Sequence, residues 1–173
     1  ANLDATYGKG KWCQDAKKPE SCMDISKIEE VLRESRDEKK LREVWEGWHT
    51  ISPPMRKEYA RFVELSNKGA KELGFADTGA MWRSKYDMPA DDFTKELDRL
   101  WEQVRPLYVK LHAYVRMKLR EKYGDVVPEK GPIPAHLTGN IWAQDWANVY
   151  GLVKPANAES RPSSSSPIAF KST

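Results

Sequence analysis

Between Pro89 and Tyr123 apolar side chains recur every three or four residues: Phe93, Leu97, Leu100, Trp101, Val104, Leu107, Leu111, Val115 and Leu119. That period is the signature of one face of an α-helix. A continuous helix of this length is about 50 Å long, so the rest of the chain has to be laid along or across a rod. Pro106 falls in its middle, where it removes a rung of the hydrogen-bond ladder and is expected to bend it. Gly124 is a reasonable stop.

The remaining pattern is helical too. After a short cysteine loop, Ile25, Ile28, Val31 and Leu32 recur at helical spacing, with Asp24 or Ser26 available as N-cap. Leu41, Val44, Trp45 and Trp48 form a second stripe. Ser52 and Pro53 restart the chain as N-cap and first helical residue, and Met55, Tyr59, Phe62, Leu65 and Leu73 follow on one side until Gly74. Asp77 is placed to cap a short helix carrying Trp82, Arg83 and Tyr86. A last helix is expected from about Asn140, with Trp142, Trp146, Val149 and Tyr150 at helical intervals. No alternating run argues for a strand and no repeat is visible, so the fold class is all-α.

Charge excludes two partner classes. Of the 173 residues 32% are charged, mean hydropathy is −0.76 and the apolar content is gathered into stripes, which leaves no membrane span. The net charge is +3, and Lys and Arg interleave with Asp and Glu, as in the run Arg33 to Lys40. That run reads as a solvated helix face, and with no basic stripe there is no case for nucleic acid.

The three histidines, His49, His112 and His136, do not form a metal motif. None has another His three to five residues away, whereas a helical zinc peptidase site needs two on one turn with a glutamate between them. Each reads better as a hydrogen-bonded packing residue. Cys13 and Cys22 have eight residues between them and read as a local disulfide or as two free thiols.

The segment Gly131 to Val153, GPIPAHLTGNIWAQDWANVYGLV, closely resembles the conserved block of the M2 peptidyl-dipeptidases, the angiotensin-converting-enzyme-like zinc peptidases. The resemblance continues upstream through Trp45-Glu46-Gly47-Trp48, Trp82-Arg83-Ser84-Lys85-Tyr86 and Pro106 to Arg116, so that it covers roughly Cys13 to Pro155. It implies a larger helical domain of which this chain is one part. It also implies a disulfide at Cys13 and Cys22, and hence a secreted or periplasmic location. The implied activity is release of C-terminal dipeptides from an oligopeptide substrate by zinc-bound water and a glutamate base. The zinc belongs to the complete family member. The His-Glu-x-x-His motif does not occur in these 173 residues, so no catalytic residue is assigned.

Carried over position by position, the Gln of the Trp-Ala-Gln motif, here Gln144, is the contact to the substrate's C-terminal carboxylate. Asn140, Trp142 and Asp145 match positions lining the same cleft. On general burial tendencies, Trp142 and Trp146 also read as core residues one turn apart. For chloride, Tyr86 matches a family ligand. His49 stands where the other chloride site has an Arg, and a neutral imidazole holds an anion less well than a guanidinium, so chloride activation is not carried over intact.

Three regions follow: residues 1–23 with the Cys loop, the helical M2-like part at 24–155, and a tail at 156–173 whose four serines between prolines lack the apolar surface to fold. The family continues beyond this point into further helices, so the tail is expected to mark a premature end, an altered frame or a natural extension. With seven Trp and seven Tyr on amphipathic helices, the chain is expected to leave apolar faces uncovered and to self-associate. The alternative function is a non-catalytic helical peptide-binding or interaction module.

Overall fold

Helices carry most of residues 3–156, the part that the computed structural model describes; the expectation for the tail falls almost wholly outside it. Helix α1 (Leu3–Gly8) leads into two short antiparallel strands, β1 (Trp12–Cys13) and β2 (Cys22–Met23), with Trp12 opposite Met23 and Cys13 opposite Cys22. The two cysteines form a disulfide. Two residues per strand are too few for alternation to show in a sequence. The hairpin lays the Trp12 indole on Gly47, where any Cβ would lie 2.2 Å from the ring, so the Trp-Glu-Gly-Trp motif has its glycine where an aromatic meets a helix backbone.

Helix α2 (Ile25–Glu34) starts at Asp24, whose carboxylate accepts from the Lys27 N–H at 3.0 Å. Helix α3 (Glu38–His49) starts at Asp37, which accepts from Lys39 and Lys40 N–H. The charged run Arg33 to Lys40 is therefore not one helix face, as its composition suggests, but a junction between two helices. Ser35 is extended, Asp37 satisfies the orphan N–H groups of α3, and Arg36 lies between them.

A single-turn 3-10 helix at Pro53–Met55 precedes α4 (Arg56–Glu72); Ser52 stands at its N-terminus without a side-chain capping bond. Gly74 closes this segment with φ +85°. Helix α5 (Thr78–Arg83) is capped by Asp77, which accepts from Ala80 N–H at 2.7 Å. Helix α6 (Ala90–Tyr123) is the rod anticipated above, bent, with Pro106 inside it and Gly124 at its end. Asp91 and Asp92 in its first turn and Arg120 and Lys122 in its last complement the helix dipole. The chain then runs through 3-10 turns to the short α7 (Tyr150–Val153).

One core joins α2, α3, the C-terminal part of α6 and the segment after it. Ile28, Leu32, Leu41, Val44, Trp48, Val115, Leu119, Val127, Leu137, Ile141 and Val153 pack together, with Tyr7, Trp12 and Met23 against them. Full burial of one such aliphatic side chain is worth about 1.5–3 kcal/mol. The α6 stripe sinks into this core only at Val115 and Leu119. From Leu97 to Leu111 the same stripe lies open, Leu107 being 70% exposed, and Tyr59, Phe62 and Leu65 of α4 are likewise uncovered. No helix among the described residues is long and apolar enough to cross a membrane.

Candidate functional site

The segment after α6 is held to the core by side-chain hydrogen bonds, most of them to its backbone. At its entry the His136 imidazole, almost fully buried, donates from Nε2 to Glu38 at the start of α3, at 3.1 Å. Burial pushes the His136 pKa below the ordinary imidazole value, partly opposed by the bond to Glu38. The Glu38 carboxyl is held below the ordinary carboxylate range by its bond to Arg42, with His136 adding to the effect. Farther along, the Trp45 indole N–H donates to the Ile141 carbonyl at 3.1 Å, and Asn148 Nδ2 donates to the Gly139 carbonyl at 2.9 Å. The Asn148 carbonyl in turn accepts from Arg36 at 2.9 Å, and the same guanidinium bonds the Arg33 and Ser35 carbonyls. One arginine thus ties the α2–α3 junction to the loop.

Within the loop Asn140 does the holding. Its Oδ1 accepts from Trp142 N–H at 2.9 Å and from Gln144 N–H at 3.4 Å, and its Nδ2 donates to the carbonyl and to Oδ2 of Asp145, both at 3.2 Å. Asp145 Oδ1 accepts from Ala147 N–H at 3.0 Å. Gly139 and Ala143 both have positive φ, +87° and +53°. This is the physical reason why the helix expected from Asn140 does not form: a short amide side chain competes with the helix for backbone N–H groups, and two left-handed residues break the period. Only the 3-10 turn at Ala147–Val149 and α7 remain of it.

The breakdown of that helix separates the two tryptophans. Trp146 is partly buried, with ring centroids 6.2 Å from Tyr108 and 5.9 Å from His112, whereas Trp142 is 54% exposed. Gln144, next but one, is exposed, and its side-chain amide has no hydrogen-bond partner among the described residues. The four cleft candidates therefore share one loop but differ in state. Gln144 and Trp142 face solvent, Asn140 is buried beneath them, and Asp145 is exposed while its carboxylate is bonded within the loop. Tyr86 lies exposed after α5, its ring 4.7 Å from that of Phe93. His49, at the end of α3, donates from Nδ1 to the Trp45 carbonyl at 2.7 Å and packs on the Trp45 indole.

The residues present do not fit a zinc ion. Among the described residues no three of His, Cys, Asp and Glu lie together as a metal group. Each histidine also has another use: His49 against Trp45, His136 on Glu38, and His112 beside the Arg116 guanidinium, which repels cations. Burial, and then Arg116, push the His112 pKa down. Arg36, Asn148 and the Glu38–His136 pair escaped the sequence reading. The clearest available signal was the pair of cap-type residues Ser35 and Asp37 flanking Arg36 inside the charged run.

What this loop presents is one exposed neutral amide and one exposed indole on a helical scaffold. The chain belongs to the M2 peptidase family, angiotensin-converting enzyme, whose sequence profile matches residues 1–169. It is 44% identical over 158 residues to the angiotensin-converting enzyme of Bos taurus, an alignment covering 90% of this chain and 12% of that protein. It is 39% identical over 160 residues to the angiotensin-converting enzyme of Theromyzon tessulatum, covering 90% and 26%. The angiotensin-converting enzyme-like protein Ace3 of Mus musculus is 39% identical over 156 residues, covering 88% and 20%. The chain thus spans between 12% and 26% of the length of these relatives.

Proposed function

We propose that this chain forms part of the substrate-cleft wall of a zinc peptidyl-dipeptidase, with Gln144 donating its amide N–H groups to the C-terminal carboxylate of an oligopeptide. The observation that carries the reading is the exposed Gln144 amide, without a side-chain partner among the described residues, beside the exposed Trp142 on a loop bonded from several sides. A neutral amide can donate to a carboxylate without itself titrating, and Trp142 offers an apolar plane for the adjoining residue. Asn140 and Asp145 belong to the same wall. In the complete peptidase zinc supplies the activated water; residues 3–156 do not fit the ion, so their part is binding and orientation. Tyr86 is proposed as half of a chloride seat, with His49 a weak substitute for an arginine at the other. The Cys13–Cys22 disulfide supports a secreted or periplasmic setting.

A second reading, a non-catalytic peptide-binding module, is favoured by one feature: the α2–α3 junction, α3 and the loop itself supply hydrogen bonds that hold the loop, from Arg36, Glu38, Trp45 and Asn148. Both readings share one test. Binding of a peptide with a free C-terminal carboxylate should exceed that of the same peptide amidated by about ten-fold, the worth of one hydrogen bond to a charged group. Gln144→Ala should erase the difference. Equal binding of acid and amide would reject Gln144 as the carboxylate contact.

A further inference from the structure

We propose that Asn140 is a positioning residue: its side chain holds the 140–145 loop around a left-handed Ala143 and so sets where Gln144 stands. The inference rests on the reading of Gln144 as the carboxylate contact.

A primary amide has two acceptor sites on oxygen and two N–H donors. In Asn140 all four are in use, by the N–H groups of Trp142 and Gln144 and by the carbonyl and carboxylate of Asp145. The side chain is also nearly fully buried. It has nothing left to offer a substrate and acts through the loop. The two N–H groups it accepts lie on either side of Ala143, whose φ of +53° is a conformation an L residue with a Cβ leaves unless its surroundings hold it there. Among the described residues no other side chain bonds the backbone between residues 142 and 145. The neighbouring ties fall outside that stretch: Trp45 on Ile141, Asn148 on Gly139 and Asp145 on Ala147. Loss of Asn140 would therefore free Trp142 and Gln144 while leaving both ends of the loop attached. Its role is specific to an amide, because an aspartate could accept from the two N–H groups but could not donate to Asp145 and would repel its carboxylate.

The test uses the full 173-residue chain, amide hydrogen exchange, and the acid-versus-amide peptide pair. Asn140→Ala is expected to speed exchange at Trp142 at least ten-fold, with a smaller change at Gln144, whose bond is longer. Exchange at Leu119 in the core should not change, and the preference for the free acid should be lost. Unchanged exchange at Trp142, or an acid preference that survives faster exchange, overturns the proposal. Should Asn140→Ala unfold the core, seen as fast exchange at Leu119, the double variant Asn140→Ala, Ala143→Gly decides. A glycine needs no clamp to keep positive φ, so the double variant is expected to regain a protected core, and a double variant that unfolds equally overturns the proposal. A wild-type chain that binds acid and amide alike rejects the Gln144 reading alone and leaves the exchange arm to decide the clamp.

Discussion

Replacing Gly139 with alanine tests the geometry of the loop against an internal control. At φ +87° a residue with a Cβ loses about 1–2 kcal/mol to backbone strain. The added Cβ would also lie 2.7 Å from the Asn148 Cβ, 3.2 Å from Val149 Cγ1 and 3.4 Å from the Asn148 carbonyl carbon. None of these is the free end of a flexible side chain, so relief requires backbone movement, of the kind that costs about 1–3 kcal/mol when a packed site is overfilled. That movement stretches the Asn148 bond to the Gly139 carbonyl, worth about 1 kcal/mol. The sum is about 3–6 kcal/mol. Gly131 has φ +98° and nothing within 4 Å of its would-be Cβ, so Gly131→Ala carries only the conformational part, about 1–2 kcal/mol. Urea denaturation of both variants, followed by far-UV circular dichroism, should put Gly139→Ala below Gly131→Ala by about 2 kcal/mol or more. If the two fall within about 0.5 kcal/mol of each other, the close packing of Gly139 against Asn148 is refuted.

Stability should fall as pH drops below about 6.5. The folded chain keeps His136 and His112 neutral to lower pH than the unfolded chain does, so the unfolded state binds more protons over that window and the loss levels off below the folded pKa values. Glu38, held low, adds a further loss beneath about pH 4.5, and thermal melts of His136→Gln should show a shallower fall between pH 6.5 and 5 than wild type. Replacing both cysteines with serine removes a short covalent loop and should cost about 2–3 kcal/mol by the loop-entropy relation, read from the same urea midpoints; no loss would mean that β1 and β2 hold without it. The uncovered stripe from Leu97 to Leu111 should drive concentration-dependent association in sedimentation velocity, weakened by Leu107→Glu; a monomer at all concentrations would contradict it.

Periodicity revealed the helices whose apolar stripe is their only demand: α2, α3 and α6 were legible from it, and the caps at Asp24 and Asp77 from residue type. The same signal failed where side chains bond backbone. Trp142, Trp146, Val149 and Tyr150 keep helical spacing, yet Asn140 takes the N–H groups a helix would need, and only a three-dimensional view shows that it does. The charged run at 33–40 hid a junction because Ser, Arg and Asp are unremarkable on a solvated face, and the tie from Arg36 to the Asn148 carbonyl spans 112 positions. In the site, Gln144 and Asn140 both came from a motif resemblance, and the bonds by which Asn140 engages the loop were not legible because sequence gives neighbours and not bonding state. That apolar faces would lie uncovered was expected from the sequence; which ones do, those of α4 and of α6 from Leu97 to Leu111, was not, because spacing says that a face is apolar, never what covers it.

The proposed role of this chain is to contribute a carboxylate-reading wall, with the zinc chemistry left to the complete peptidase. The most direct measurement is hydrolysis of an internally quenched fluorogenic peptide by the purified 173-residue chain, with excess zinc and with a chelator control. No turnover above the chelated control is expected, because His49, His112 and His136 are each engaged elsewhere in the fold. Chelator-sensitive turnover would contradict it and would require those histidines to leave their present partners for a metal.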